Sequence, residues 1–284
     1  PDWLWRSWVA AHGADQAAAI ADAHLKEAPL DISVKSDAAG WAERLDATLL
    51  PTGTLRRASG GDIRALPGFA DGEWWIQDAA AALPARLLGP VAGQKIADLC
   101  AAPGGKTAQL AAAGADVYAV DSSATRIKQI DENMQRLKLK VKLIAADATQ
   151  WRPDAALDGV LVDAPCTGTG TIRRHPDIAR LKRSGDVQRL GVLQDQLLDH
   201  AVTLLRPGGL LVYATCSLQP EEGAVRIERL LAQGAPLERV PVESGEVPGL
   251  EAAITDAGEL RTLPSHWPEK GGLDGFFIAR LRRL

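Results

Sequence analysis

Short apolar runs recur along the chain, and stretches with helical spacing separate them. From about residue 72 the pattern is regular, with strand-like runs at 96–100, 117–120, 141–145, 158–162 and 209–214. A helix is predicted over 78–88, and further helical stretches lie between the strands. Strands that alternate with helices indicate right-handed crossovers and a mostly parallel sheet, whose ligands bind beyond the carboxyl ends of its strands. A last apolar run, 276–281, predicts an antiparallel strand at the sheet edge.

The first 70 residues follow a different pattern. A Trp-rich opening leads into an Ala-rich helical stretch over 16–28, which Pro29 ends, and then into short extended segments broken by prolines and glycines. We therefore predict a small α/β module over 1–70 and a Rossmann-like α/β domain over 71–284.

Composition and charge narrow the class of protein. The chain has 284 residues, of which 46% are hydrophobic and 24% charged, and these values exclude disordered, fibrous and membrane classes. A formal charge of −4 argues against non-specific coating of nucleic acid. Three cysteines without a close pair, and no secretory signal, predict a reducing, cytoplasmic setting. The scattered Cys and His residues lack the spacing of metal ligands, so no metal is expected.

Acidic residues end the first three strands of the predicted parallel sheet. Asp98 opens a Gly-rich loop at the start of a helix, and Asp121 and Asp147 follow the next two strands. Free N–H groups at a helix start attract anions, and an acid 23 residues after Asp98 is placed to hold ribose hydroxyls at a solvent-reachable edge of the pocket. Three acids favour a ligand with a positive reacting end, such as the sulfonium of S-adenosylmethionine, over a polyphosphate. Each acid taken singly is equally explained as a helix cap.

Two other nucleotide motifs fit this loop less well. The dinucleotide pattern G-x-G-x-x-G is absent between Cys100 and Thr107, which disfavours a nicotinamide dehydrogenase. The phosphate-binding pattern G-x-x-x-x-G-K-[ST] matches Gly105-Lys106-Thr107 at one end, but its first glycine is Cys100 here, and Pro103 lacks an amide that would bind phosphate. A nucleoside triphosphatase is therefore also disfavoured.

The cysteines point to a particular chemistry. Cys100 ends an apolar strand, where packing alone explains it, but Cys166 and Cys216 follow strands at the ligand-binding edge. A pyrimidine ring carbon is too weak a nucleophile to take a methyl group unaided. A thiolate that adds to carbon 6 activates carbon 5, and a second thiol can help release the product. The residues alone leave open which cysteine attacks; Lys106 is the candidate cation that would favour the thiolate.

Four segments carry the most specific pattern of the chain: 98–107 (DLCAAPGGKT), 163–170 (DAPCTGTG), 173–178 (RRHPDI) and 213–217 (YATCS), supported by 74–78 and 274–279. Together they resemble the bacterial ribosomal-RNA cytosine-5 methyltransferases of the Sun/RsmB type. The resemblance spans essentially the whole chain. It implies an S-adenosylmethionine-dependent methyltransferase sheet with an RRM-like N-terminal module. It also implies formation of 5-methylcytosine in RNA, small-subunit (16S) ribosomal RNA being expected first; transfer RNA, or an inactive RNA-binding ribosome assembly factor, are the alternatives.

The resemblance also implies roles for particular residues. Those that bind the cofactor are Cys100, Ala101, Ala102, Pro103, Gly104, Gly105, Lys106, Asp121 at the ribose, Asp147 by the adenine, and Asp163, which is shared with the base. Cys216 is implied as the nucleophile and Cys166 as the residue that assists product release. Asp163 is placed to hydrogen-bond the cytosine, and Lys106 completes the catalytic set.

A basic segment follows the turn that contains Cys166. Residues 173–189 contain six Lys or Arg against two acids. We expect Arg173, Arg174 and His175 to contact RNA phosphates, although a solvated helix face explains the later basic residues as well. Full-length family members often begin with an all-helical RNA-binding domain, and we expect no such domain within these 284 residues. The expected partner is RNA, without membrane or metal, and the chain is expected to be a monomer.

Overall fold

The first helices and a small sheet open the chain. The structure is a computed structural model that describes residues 1–58 and 61–284. The elements of the N-terminal part are α1 (Asp2–His12), α2 (Ala14–His24), β1 (Leu30–Val34), α3 (Ala38–Arg44), β2 (Thr48–Leu49), β3 (Leu55–Arg57) and β4 (Trp74–Ile76). The four strands form an antiparallel sheet in the order β2-β3-β1-β4. Ile32, Leu55 and Trp74 pack with Trp41 of α3 under this sheet.

The larger sheet carries most of the remaining chain. Its strands are β5 (Lys95–Leu99), β6 (Asp116–Asp121), β7 (Lys142–Ala145), β8 (Leu157–Asp163), β9 (Leu205–Thr215), β10 (Leu237–Arg239), β11 (Leu260–Thr262) and β12 (Phe276–Arg283). The order is β10-β12-β9-β8-β5-β6-β7, and β11 pairs with β12. The strands β7, β6, β5, β8 and β9 are parallel, and β12 runs antiparallel to β9. The predicted α/β class, parallel sheet and antiparallel last strand are confirmed.

Helices cover both faces of the larger sheet. They are α4 (Leu83–Arg86), α5 (Gly105–Ala112), α6 (Ala124–Leu137), α7 (Ile178–Leu181), α8 (Ser184–Leu204) and α9 (Ala224–Ala232). Alternate residues of one strand point to opposite faces: Leu161 packs on the side of α5, whereas Val160 and Val162 pack on the side of α8. Within the described ranges, no helix is both long and apolar enough to cross a bilayer.

Two predicted helices are shorter in the structure. The helix predicted over 78–88 is helical only from Leu83 to Arg86. Carboxylates bind the N–H groups that precede it, since Asp31 accepts from Ala79 and Asp78 accepts from Ala80; such side-chain bonds compete with helix formation. The helix predicted over 16–28 is α2, which begins two residues earlier and ends at His24.

The helices α1 and α2 belong to a different core from the small sheet. Leu4, Trp8 and Ile20 pack against Ile172 and other apolar residues of the loops that follow β8, β9 and β11. The small sheet takes its last strand, β4, from beyond the boundary predicted at residue 70. The first two helices therefore cover loops of the larger sheet, and the division at residue 70 remains a prediction.

Candidate active site

The carboxyl ends of five neighbouring parallel strands bring the predicted site residues to one edge. Asp163 ends β8, and Lys106 lies in the first turn of α5 after β5. Because β5 and β8 are paired, the Lys106 ammonium reaches across and donates to Asp163 Oδ2 at 2.7 Å. The Lys106 side chain is only 10% exposed, whereas Asp163 retains 28%. The carboxylate is therefore the member of this pair that faces an approaching ligand.

The two cysteines predicted to work together lie in contact. Cys166 and Cys216 follow the paired strands β8 and β9, and their Sγ atoms are 3.4 Å apart. The turns are held together because the Gly170 N–H donates to the Cys216 carbonyl at 2.9 Å. Gly170 also lies very close to the backbone of Gly275. A Cβ at position 170 would be 2.0 Å from the Gly275 carbonyl oxygen, so only glycine permits this close contact between Gly170 and Gly275. The chain thus places two free thiols side by side at the ligand-binding edge.

The Cys166 thiol keeps its proton in this arrangement. Its hydrogen bond with Cys216, together with burial, raises the pKa of Cys166 well above the usual value for a thiol. Lys106 keeps its charge as well: burial opposes the ammonium, but Asp163 outweighs burial and raises the pKa of Lys106. The sulfur of Cys216 also contributes to this rise. The cation predicted to act on a thiol is therefore close enough to interact with Cys216.

The Gly-rich loop joins β5 to α5. Cys100 and Gly104 both adopt left-handed backbone angles, with φ of 63° and 99°, and α5 begins at Gly105 without a side-chain cap. Its first N–H groups therefore carry no capping side chain and point out of the helix start. Burial raises the pKa of Cys100 to about 12, which keeps it a neutral, packed thiol.

Asp121 is not at the solvent-reachable edge that the sequence predicts. The residue is 1% exposed, because its carboxylate accepts from the N–H groups of Ala102 at 3.3 Å and Ser123 at 3.0 Å. Arg126 lies 3.3 Å from the same carboxylate. Asp121 therefore also fixes the loop that precedes α5.

The other two strand-end acids differ in exposure. Asp98 is fully buried, where it accepts from the Thr107 hydroxyl at 2.6 Å, and burial raises its pKa to about 7. It supports the loop from beneath and does not line the pocket, contrary to the expectation of three lining acids. Asp147 is exposed, and Oδ1 accepts from the N–H of Thr149 at 2.9 Å.

The structure corrects the expectation that Arg173 contacts RNA. Its side chain is 1% exposed, and its guanidinium donates to Asp274 and Asp78, both at 2.8 Å. Arg174 pairs with the same two acids but remains 22% exposed. Burial opposes ionisation of Asp78, yet the two guanidiniums hold its pKa at about 2. Arg173 therefore belongs to a buried ion cluster, and only His175 of the predicted trio is exposed.

Sequence reasoning missed three buried acids that support the site: Asp78, Asp274 and Glu222. The first two lie in the supporting segments 74–78 and 274–279, so the resemblance offered a signal for them. Glu222 had none beyond its place six residues after Cys216. In the part of the chain that the structure describes, no group of three or more His, Cys, Asp or Glu side chains is arranged to hold a metal ion.

A mostly parallel sheet with an antiparallel strand beside β9, and a Gly-rich loop after β5, is the architecture of a Rossmann-like methyltransferase. The family model described as 16S rRNA methyltransferase RsmB/F matches residues 85–282. The chain belongs to this family, as the four segments indicated.

Curated relatives and a solved structure agree with that assignment. The chain is 41% identical over 227 residues to ribosomal RNA small subunit methyltransferase B of Vibrio cholerae, which covers 78% of this chain and 49% of that protein. The protein of the same name from Vibrio vulnificus is 37% identical over 262 residues, covering 90% and 55%. A crystal structure of a methyltransferase homolog protein from Pyrococcus horikoshii superposes with a TM-score of 0.81 at 27% identity, covering 98% and 94%. The chain spans about half the length of the curated relatives it matches.

Proposed function

We propose that this chain transfers a methyl group from S-adenosylmethionine to carbon 5 of a cytosine in RNA, with small-subunit ribosomal RNA as the substrate. The contact between the Cys166 and Cys216 sulfurs, 3.4 Å apart beside the Lys106–Asp163 pair, carries this proposal. Methylation of an oxygen or nitrogen needs no thiol, whereas methylation of a pyrimidine carbon does. Relatives named ribosomal RNA small subunit methyltransferase B support the choice of RNA.

The residues of the loop fit the proposed cofactor. S-adenosylmethionine supplies an electrophilic methyl group on a sulfonium sulfur. The uncapped start of α5 suits the carboxylate of its methionine part. Residues 100–106 would hold that part, Asp121 the ribose, Asp147 the adenine side, and Asp163 the space between cofactor and base.

The proposed mechanism assigns each nearby group a task. The Cys216 thiolate bonds to carbon 6 of the cytosine, and the electron pair moves toward carbon 5, which accepts the methyl group. Asp163 hydrogen-bonds the edge of the cytosine, while the Lys106 ammonium balances the negative charge of Asp163. Solvent water then takes up the carbon 5 proton, the electron pair of that C–H bond re-forms the double bond between carbons 5 and 6, and the bond between carbon 6 and sulfur breaks, which returns Cys216 as a thiolate; Cys166 assists this release. A cytosine in folded RNA reaches such a site by flipping out of its stack.

The exposed basic residues beyond the buried cluster are proposed to contact the RNA backbone. They are His175, Arg180 and Arg183, all of which lie on the surface. Arg174, with part of its guanidinium exposed, remains a candidate at the edge of the cluster. The proposal includes a cytoplasmic monomer, and gel filtration of the purified chain tests the oligomeric state.

Incubation of the purified chain with labelled S-adenosylmethionine and naked small-subunit ribosomal RNA tests the proposal. We expect 5-methylcytosine at a defined position in that RNA after mapping of the product. Label that enters transfer RNA and not ribosomal RNA would reassign the substrate. A chain that neither binds the cofactor nor transfers label would support an assembly factor. Bisulfite sequencing of RNA from cells that lack the protein is the independent check.

Replacement of Asp121 by alanine is expected to weaken cofactor binding without unfolding the chain. A hydrogen bond to a charged group contributes about 1.5–3 kcal/mol, so the Kd for S-adenosylmethionine should rise roughly 10- to 100-fold. Titration calorimetry measures it, with the exposed Asp154→Ala as the matched control. An unchanged Kd in a folded Asp121→Ala protein would exclude Asp121 from the cofactor site.

A further inference from the structure

A buried carboxylate lies directly behind the two cysteines. Glu222 is 0% exposed and ends the short turn Pro220–Glu222 between β9 and α9. Its Oε1 accepts from the Thr167 N–H at 3.0 Å and from Gln194 Nε2 at 3.1 Å, and its Oε2 accepts from the Thr167 hydroxyl. Every one of these partners is a donor. The environment is therefore built for the ionised form of Glu222, although burial raises its pKa.

No cation neutralises this carboxylate in the ranges 1–58 and 61–284, where Glu222 forms no ion pair. Neutral donors alone satisfy it. An ionised group taken out of water without an opposite charge costs free energy, even when it is hydrogen-bonded. A role in stability alone therefore does not explain a charge at this place.

The residue connects both cysteine-bearing turns. Thr167, whose N–H and hydroxyl bind the carboxylate, directly follows Cys166. The carbonyl of Glu222 accepts from the hydroxyls of Tyr213 at 2.9 Å and Thr215 at 3.1 Å, and Thr215 directly precedes Cys216. A single residue thus fixes the position after one sulfur and the position before the other.

Gln194 extends the same connection to α8. Its Nε2 donates to Glu222 and also, at 2.9 Å, to the carbonyl of Pro165, which precedes Cys166. The backbone on both sides of Cys166 is therefore anchored through the carboxylate.

Charge is distributed unequally around the two thiols. The negative field of Glu222 falls on Cys166, where it adds to the hydrogen bond and burial that raise the pKa of that thiol. The ammonium of Lys106 interacts with Cys216. Further ionisable groups near this set are Tyr213, the Arg226–Asp195 ion pair, Asp163, and Arg261, which donates to the carbonyl of Ser217. A negative charge near Cys166 favours retention of the proton by that sulfur.

We propose that Glu222 is a positioning residue that assigns different roles to the two thiols: it holds their turns in contact and keeps the shared proton on Cys166, which leaves Cys216 as the attacking sulfur. The choice of Cys216 rests on the proposed function. The effect of the charge on the two thiols does not, because it is measurable without RNA.

Alkylation of the two thiols by iodoacetamide tests the assignment. Initial rates at each cysteine are measured by peptide mass spectrometry between pH 6 and pH 10, at low extents of reaction. In the unaltered chain Cys216 is expected to react faster than Cys166 at neutral pH. The reverse order would overturn the proposal, whatever any variant does.

The variant Glu222→Gln removes the charge at nearly constant size. A change of one unit in relative acidity alters the thiolate ratio tenfold, so the ratio of Cys216 to Cys166 alkylation should fall by roughly 10-fold. The adjacent, exposed Glu221→Gln is the matched control and should leave the ratio unchanged. Glu222→Asp keeps the charge and should keep Cys216 the faster thiol. Equal acceleration of Cys100, Cys166 and Cys216 in Glu222→Gln would indicate loosening of the fold and contradict a role for charge.

Methylation kinetics provide the second readout. Because Glu222 touches neither the Gly-rich loop nor the surface, Glu222→Gln should lower kcat several-fold while the Kd for S-adenosylmethionine and the KM for RNA stay unchanged. A rise in KM with unchanged kcat would contradict the positioning role. Absence of methylation in the unaltered chain would defeat the proposed function, and the alkylation ratio would still decide the role of Glu222.

Discussion

Replacement of Cys216 by alanine is expected to abolish methylation, whereas replacement of Cys166 by alanine is expected to trap a covalent protein–RNA adduct. The first variant lacks the sulfur that activates the base, and loss of a nucleophile in a covalent mechanism costs about 10⁴- to 10⁶-fold in rate. The second variant still bonds to carbon 6 but releases its product slowly. The 3.4 Å contact between the two sulfurs makes both roles reachable from one bound base.

Denaturing gel electrophoresis after incubation with S-adenosylmethionine and RNA detects the adduct as a shifted band. The double variant, with alanine at positions 166 and 216, should give no such band, and each variant should bind the cofactor as the unaltered chain does. An adduct in Cys216→Ala and none in Cys166→Ala would show that the two roles are exchanged.

Replacement of Arg173 by alanine is expected to lower the free energy of unfolding by about 3–5 kcal/mol, the usual cost of breaking a buried ion pair from one side. Its guanidinium, 1% exposed, binds both Asp78 and Asp274. Without it, two buried carboxylates share Arg174 alone. Urea denaturation followed by Trp fluorescence measures the change.

The exposed Arg180→Ala serves as the comparison and should change stability by no more than about 0.5 kcal/mol. If Arg173→Ala retained full stability and instead lost affinity for RNA, the original interpretation of Arg173 as a phosphate contact would be restored.

The sequence predicts the sheet and its functional edge well because both follow local rules. Apolar runs of strand length locate β5 to β9, and the carboxyl ends of parallel strands always meet at one edge. Cys166 and Cys216 therefore come together although 50 residues separate them. The Lys106–Asp163 pair follows from the same geometry, since β5 and β8 are neighbours.

Burial of polar residues is what the sequence leaves undetermined. Arg173 is separated from its two carboxylate partners by 95 and 101 residues, and no local pattern distinguishes a buried arginine from one that faces RNA. The sequence also places Asp121 correctly at the end of a strand, but no local pattern shows that the neighbouring loop buries its carboxylate. The helix predicted over 78–88 is shortened because Asp31, which lies in β1, accepts a hydrogen bond from the N–H of Ala79.

The covering helices α1 and α2 have a consequence for how this protein is assembled. They precede the larger sheet along the sequence, while the strand β12, beside β9, is the last strand of that sheet, and the cysteine-bearing turns are enclosed between parts from both. Trimming the protein to the family-matched stretch 85–282 would uncover Leu218 and Leu263, so we expect such a fragment to aggregate. During synthesis on the ribosome, the site would remain incomplete until β12 has emerged.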